Sequence, residues 1–453
     1  MMGREKLKEM ADAGLQEAGN FSAEVHLSSS RYELTRFAEG QIHQNISMDG
    51  INVTACIYDG RKSARVQLSA PKPDRVRQAV QKAKDKLKYA TEGPERPMPK
   101  PHQGFCSESP PGFDEKMLTE GTQWRTDTVK QVVEEVEDRG PDVYGRAITE
   151  ATELLTVNTE GLVSYAPRTR CDLSVSTIRD TGYGYSQRHA CALDDIDVEE
   201  AAQEAAVGCN RARDPQDLVP ADYPVVLLPY AVADIMSFIG RLGADSQAVQ
   251  EGRSFMSDNL GQQVVSDKIS LWDDGFEPRG RPIPFDGEGV KKQPVTIIED
   301  GVTISPVYNQ ITGAEGGVPS TGHSPVGSSF GARGGSNRAI PQNLFVGEGS
   351  DTVADMIEGT DVGVLVTSFH YTRAVEPSEV VVTGMTRNGT FLIKNGEVVH
   401  PIKNLRFTDS YLRILNHVTH VGSESMNCGG GIGSIRVPAL RLESLRFTEK
   451  TDF

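Results

Sequence analysis

Two imidazoles and a thiol fall close together in NHVTHVGSESMNC, Asn416 to Cys428, and a run of glycines follows them. His417 and His420 are three apart, so a helix would put both on one face, as ligands to one metal ion must be. Tyr411, Leu412, Ile414, Leu415 and Val418 share the segment, and the plainer reading is an amphipathic helix with two incidental histidines. A zinc site would also need three or four ligands.

Other chemistry-bearing patterns carry less. No His is followed by Glu, which removes HExxH, and neither GxxxxGK[ST] nor GxGxxG before a helix occurs. GSSFG, Gly327 to Gly331, sets Ser329 in the nucleophile's place of GxSxG, but it lies in a Gly/Ser-rich loop without the strand and helix that a nucleophile elbow requires. Asp195, Asp197 and Glu199 alternate as in a calcium loop, yet Glu200 stands where that loop needs Gly and Ala206 where it needs its closing Glu. The acidic WDDG reads as a solvated turn. Gly429, Gly430, Gly431 and Gly433 read as a flexible turn, with no following Lys or helix to complete a phosphate cradle.

The elements that must carry these residues divide near Pro215 to Pro220. After a polar helix, about Glu5 to Ala18, the runs AEVHLS, QIHQNIS, INVTACIYDG and SARVQLS alternate apolar and polar residues, with Asp49-Gly50 and Asp59-Gly60 as turns. A helix started by Pro71 or Pro73 follows, then a Pro-rich surface excursion, GPERPMPKPHQGFCSESPPG, and a helix over Thr126 to Asp138. TVNTEGLVSY, CDLSVSTIRDTGYGYSQ and a helix from Asp197 to Arg211 then repeat the plan. ELTRFAEGQI and ELLTVNTEGLV match across the two blocks, read as a diverged internal duplication. Beyond Pro220 comes YPVVLLP, fit for a buried strand, and a buried helix on Val232, Ile235, Met236 and Ile239. Strand-like runs with hairpin signals at Asn388-Gly389 and Asn395-Gly396 fill the rest. The predicted fold is α+β, with an N-terminal domain of antiparallel meanders and helices over 1–218 and a mostly antiparallel β domain over 219–453.

With 453 residues and 37% hydrophobic content the chain buries a sizeable core, and a formal charge of -16 argues against nucleic acid or an anionic membrane as partner. No apolar run reaches the roughly 20 residues of a membrane span, and charges occupy the start where a signal peptide needs an apolar core. Six cysteines without CxxC spacing fit a reducing compartment, so the expected location is the cytoplasm.

Several segments together resemble the TldD/PmbA family, a metallopeptidase-related group also named for modulation of DNA gyrase. They are LTRFAEGQIHQNISMDGINVTACIYDGR, PVVLLP, EGRSFMSDNLGQQVVS, NGTFLIKNGEVVHPIKNLRFTDSYLRIL and GSIRVPALRLESLRF, in the family's order over nearly the whole chain. In the catalytic branch a strand like PVVLLP leads into a helix with HExxxH, and a cysteine in a C-terminal CG-rich turn is the third zinc ligand. The resemblance puts those helix positions at about Ser237, Phe238 and Leu242, none a strong ligand or a base, and puts the cysteine at Cys428 as a vestigial ligand position. It therefore implies the PmbA/TldE-like branch: no cofactor in this chain, zinc in a TldD-like catalytic partner, a heterodimer with that partner or a homodimer, and unfolded peptide as substrate, bound as an added strand. The alternatives are an independent hydrolase using His417, His420 and Cys428, and a homodimeric peptide-binding protein without chemistry. Peptide-contacting residues are not assigned.

Overall fold

The computed structural model describes residues 1–70, 72–326, 338–430 and 433–451. Its first sheet follows from period-2 patterning. Strands β1 (Ser22–Ala38), β2 (Gln41–Asp59) and β3 (Lys62–Ser69) form an antiparallel meander, and Ala23, Val25, Leu27, Val53, Ala55 and Ile57 all point to one face. Helices α1 (Arg4–Ala18) and α2 (Pro73–Leu87) cover that face. In α2, Pro73 fills the first turn, where its missing N–H costs nothing, and Val76, Ala79, Val80, Ala83 and Leu87 form the buried stripe. The chain reverses at Glu39-Gly40, with φ of 50° and 71°. The turn expected at Asp49-Gly50 does not exist: β2 runs straight through it, and Asp49 pairs across the strands with Arg31 at 3.0 Å.

The plan then repeats. Helix α3 (Lys116–Glu137), strands β4 (Asp142–Asn158), β5 (Val163–Arg179) and β6 (Gly182–Ala190), and helix α4 (Val198–Arg211) form a second helix–meander–helix unit. The two meanders join along β1 and β4 into one sheet of order β3-β2-β1-β4-β5-β6. Helix α3 begins ten residues before the expected Thr126, and Gly121 lies within it, where an added Cβ would sit 3.4 Å from Thr149 of β4. The acidic residues that alternate as in a calcium loop have an ordinary local role, since Asp197 caps α4 by accepting from Glu200 N at 2.8 Å.

The C-terminal sheet has eleven strands. Strand β7 (Asp222–Leu227) leads through Pro229 into α5 (Pro229–Phe238), which ends in one wide π turn over Ile239–Gly243. Then come β8 (Leu271–Asp273), β9 (Val295–Glu299), β10 (Val302–Thr303), β11 (Asn343–Val346), β12 (Val362–Glu376), β13 (Val381–Lys394), β14 (Glu397–Pro401), β15 (Leu405–Ser410), β16 (Val418–Gly430) and β17 (Gly433–Lys450). The main path is β10-β9-β8-β11-β17-β15-β13-β12-β7, and β17 also pairs with β7, closing a ring of strands. Pairing is antiparallel except for β7 with β12 and β11 with β17, so the sheet is mixed. Flanked by strands on both edges and covered by α5, β7 buries Val225, Val226 and Leu227 completely, which explains its unbroken apolar sequence. Asn395-Gly396 is the hairpin turn foreseen, whereas Asn388-Gly389 lies inside β13 with φ of 60° and 117°, a bulge opposite a register shift in β12.

The Pro-rich stretch is not a surface excursion. It threads between the lobes: Phe105 and Ser107 bond to Tyr165 of β5, Asn158 donates to the Pro99 carbonyl, and Gln103 accepts from Lys291 N of the C-terminal lobe at 2.7 Å. That path places Arg96 against Glu288 at 3.1 Å.

Candidate functional site

Helix α5 buries Ala231, Val232, Ile235 and Met236 against the sheet and leaves Ser237 and Leu242 half-buried. Phe238 is buried, with its ring edge-on to Tyr411 at 5.8 Å and the Arg241 guanidinium over its face at 4.6 Å. The one carboxylate of the helix, Asp234, is already committed: it accepts from Thr372 Oγ1 at 2.7 Å and Tyr411 Oη at 3.0 Å, and burial pushes its pKa up.

Cys428 lies on β16 opposite Ile435 of β17, in the strand and not in a loose glycine turn. It is buried in the core that α5 shares. Burial, reinforced by Glu204 and opposed by Arg188 and Arg436, pushes its thiol up to about 12. Zinc binds thiolate. A single thiol with side chains of Ser, Phe and Leu type does not supply the ligands of a tetrahedral zinc ion.

His417 and His420 do not share a helix face. The helix stops at Leu415 after five residues; His417 sits in the turn beyond, 3.2 Å from Glu443, and His420 lies on β16 with its Nδ1 3.0 Å from Thr419 Oγ1. The glycine-flanked Ser329 lies outside the described residues. Asp273 of WDDG is fully buried and not solvated, because the amides of Gln342 and Asn343 and the imidazole of His323 all converge on it.

Where the lobes meet near Cys428, a groove of about 1020 Å³ is lined by β6, α4, the start of α5 and β16. Arg188 holds its walls together, paired with Glu204 at 2.8 Å and Glu200 at 3.2 Å and donating to Tyr230 Oη at 3.1 Å. Beside it His189 is fixed by Asp172 at 2.6 Å, and Asn427 of β16 donates to the His189 carbonyl. Asp172 is held at about 2: burial opposes ionisation, but His189 and then Arg170 outweigh it.

A second space, of about 770 Å³, separates the outer face of the N-terminal sheet from the C-terminal lobe. It is polarised. Arg168 makes no hydrogen bond or ion pair among the described residues, and burial together with Arg281 and Arg170 lowers it to about 10 against the pull of Glu150. At the other wall burial raises Glu288 to about 8, with Asp286 adding and Arg96 opposing. Asp286 rises to about 6 by burial although the amides of Ser324, Val290 and Glu288 favour its charge. Between them stand Glu24, His26 and Cys56 of the first hairpin. Burial works against a charged His26, yet its hydrogen bonds to Cys56 and Glu24 lift it to about 9, so this corner draws positive charge. Glu24 and His26 are visible in the sequence as neighbours on one strand face; their partner Cys56 is not.

The comparisons match this architecture to known proteins. The model of the PmbA/TldA metallopeptidase C-terminal domain covers residues 220–449, and that of the central domain covers 118–211. The chain belongs to the TldD/PmbA family of metallopeptidase-related proteins. Among curated relatives, a metalloprotease TldD homolog of Buchnera aphidicola is 26% identical over 238 residues, 49% of this chain and 46% of that protein. A metalloprotease PmbA homolog of Haemophilus influenzae is 26% identical over 213 residues, 46% and 43% of the two. The matched stretch thus spans about half the length of these relatives. The crystal structure of TldE from Thermococcus kodakarensis superposes with a TM-score of 0.86 at 18% identity, covering 98% of this chain and 100% of that one, which shows the fold. Among the described residues no helix is long and apolar enough to cross a membrane.

Proposed function

We propose that this chain is the TldE/PmbA-like subunit of a cytoplasmic zinc peptidase complex, and that a TldD-like homologue supplies the catalytic zinc in a heterodimer that acts on unfolded peptides. One observation supports the reading: no His in the chain is followed by Glu, so a member of this family lacks HExxxH, and the resemblance sets about Ser237, Phe238 and Leu242 in its place. The side chains around them point the same way, since Phe238 is packed on Tyr411 and Asp234 is spent on two hydroxyls. The role left for the chain is to wall the chamber and hold peptide backbone. Strand β12 offers a place for this. Its pairing with β7 covers Val364 to Val366, and beyond that Tyr371 and Val375 are well exposed on an edge that no other strand pairs with among the described residues.

The test is cleavage of an unstructured peptide by the purified chain alone, by the catalytic homologue alone and by the two mixed, with light scattering of each. The reading expects a mixed dimer and cleavage that needs the homologue. Cleavage by the lone chain would defeat it, and a stable homodimer that ignores the homologue would leave peptide binding without chemistry.

A further inference from the structure

The apolar residues of β1 and β2 face the helices, so their polar neighbours face the inter-lobe cavity. Glu24 and His26 are two apart on β1, and Cys56 is the cross-strand partner of Glu24 in the antiparallel register. Backbone pairing alone therefore brings a carboxylate, an imidazole and a thiol onto one patch. One ligand atom from each lies within 4.8 Å of the others, and His26 Nε2 is 3.6 Å from Glu24 Oε2. Bonds of about 2.0–2.3 Å to a tetrahedral zinc set its ligand atoms roughly 3.3–3.8 Å apart, so the His26–Glu24 spacing already fits and the two to Cys56 need close by at most about 1.5 Å.

The surroundings are those of a ligand set. His26 Nδ1 is engaged by Thr156 Oγ1 at 3.0 Å, which leaves Nε2 as the nitrogen turned to Glu24. Tyr58 Oη donates to Glu24 Oε2 at 2.7 Å and orients the carboxylate. Glu24 is buried, while His26 and Cys56 are half-buried at the cavity wall. The nearby cation, Arg96, lies over the Tyr58 ring and is paired with Glu288. Three protein ligands with one side open to a cavity is the pattern of a metal that keeps a position for water or a bound molecule. Thiolate with imidazole selects zinc over the hard cations calcium and magnesium.

We propose that Glu24, His26 and Cys56 bind one zinc ion with a coordination position open to the cavity between the lobes. Zinc takes Cys56 as thiolate and His26 as neutral imidazole through Nε2, and any proton held on those two atoms passes to solvent. The site is distinct from the Ser237–Leu242 and Cys428 positions, and it stands or falls independently of the subunit reading, because its readout is metal and not peptide cleavage.

The experiment is equilibrium dialysis of the full chain against zinc, followed by metal analysis, with cobalt substitution read by absorption. One metal per chain and a thiolate-to-cobalt charge-transfer band are expected. Cys56→Ser should remove the band and His26→Ala should weaken binding at least about tenfold, and Thr156→Val, which frees only the second ring nitrogen, about 10–100-fold. Glu24→Gln keeps the volume and the Tyr58 contact and should also weaken binding. Cys106→Ser and Cys428→Ser should leave both stoichiometry and band intact, with circular dichroism matching across the set. Substoichiometric metal in the wild-type chain, a band that survives Cys56→Ser, or one that disappears with Cys428→Ser would overturn the proposal.

Discussion

Asp273 is the most heavily committed carboxylate of the C-terminal lobe, and replacing it with Asn tests whether the lobe is held as described. Its Oδ2 accepts from Gln342 N at 2.6 Å and Asn343 N at 2.7 Å, and its Oδ1 accepts from His323 at 2.9 Å and lies 3.8 Å from Lys292 Nζ. Asp273, Lys292 and His323 have fully buried side chains, and Lys292 Nζ has no hydrogen-bond partner. Burial disfavours the carboxylate, but Lys292, His323 and the Asn343 amide outweigh it and hold it at about 2 against the usual 3.8. At about 1.36 kcal/mol per unit this amounts to roughly 2.5 kcal/mol of stability at neutral pH. Because the folded value lies below the unfolded one, that stability is complete above about pH 4 and is lost as pH falls through about 2. Asp273→Asn also leaves Lys292 buried without its countercharge, so the expected cost is about 3–5 kcal/mol. Lys292→Met should cost less, since Asp273 keeps both backbone donors and His323. The double variant should recover part of the loss, with a coupling of at least about 1 kcal/mol. Urea unfolding followed by Trp272, which stacks on Phe345 beside the site, reads this in a Trp124→Phe background. A cost below about 1 kcal/mol for Asp273→Asn, additive single variants, or an unchanged acid limb would refute the reasoning.

Two further outcomes are expected. Gly184 of β6 lies so close under α4 that an added Cβ would fall within the Ala205 carbonyl oxygen, backbone against backbone; Gly184→Ala should cost about 1–3 kcal/mol, and an unchanged melting temperature would show that α4 does not pack there as described. Grafting the catalytic pattern as Ser237→His, Phe238→Glu and Leu242→His should lower the melting temperature, chiefly through a carboxylate buried against Tyr411; an undiminished melting temperature would contradict the packing of Phe238 on that ring.

What the sequence made legible was local, and what it hid was register. The alternation in AEVHLS and INVTACIY places Val25, Leu27, Val53 and Ala55 under the helices, and the match between ELTRFAEGQI and ELLTVNTEGLV marks the two equivalent hairpin turns. Asp49-Gly50 has the composition of a turn, but a strand tolerates both residues once Arg31 stands opposite Asp49. That single displacement matters for the chemistry. A turn there would set Cys56 across from His43; the actual reversal at Glu39-Gly40 sets it across from Glu24, with His26 alongside. The triad could not be read from spacing, because its members are some thirty residues apart and meet through a pairing that the strongest turn signal obscures. His417 and His420 erred the other way: spacing of three implies one face only inside a helix, and the helix ends two residues too early.

Cys428 and Cys56 show that surroundings, more than residue type, decide where chemistry resides in this chain. Cys428 is enclosed by a core with no imidazole beside it among the groups that act on its thiol, and burial keeps it protonated. Cys56 lines a polar cavity, with an imidazole and a carboxylate supplied by the neighbouring strand. Of the two thiols, Cys56 is the one with an imidazole and a carboxylate grouped beside it, and that group belongs to the N-terminal sheet. Arg188, Tyr230 and Asn427 bond the two lobes across their boundary, and the first hairpin shares its cavity with Arg168 of the same sheet and with Arg281 and Glu288 of the C-terminal lobe. The cavity thus carries the Arg168 guanidinium at one end and, at the other, two carboxyls that burial raises, Asp286 and Glu288, all within one chain.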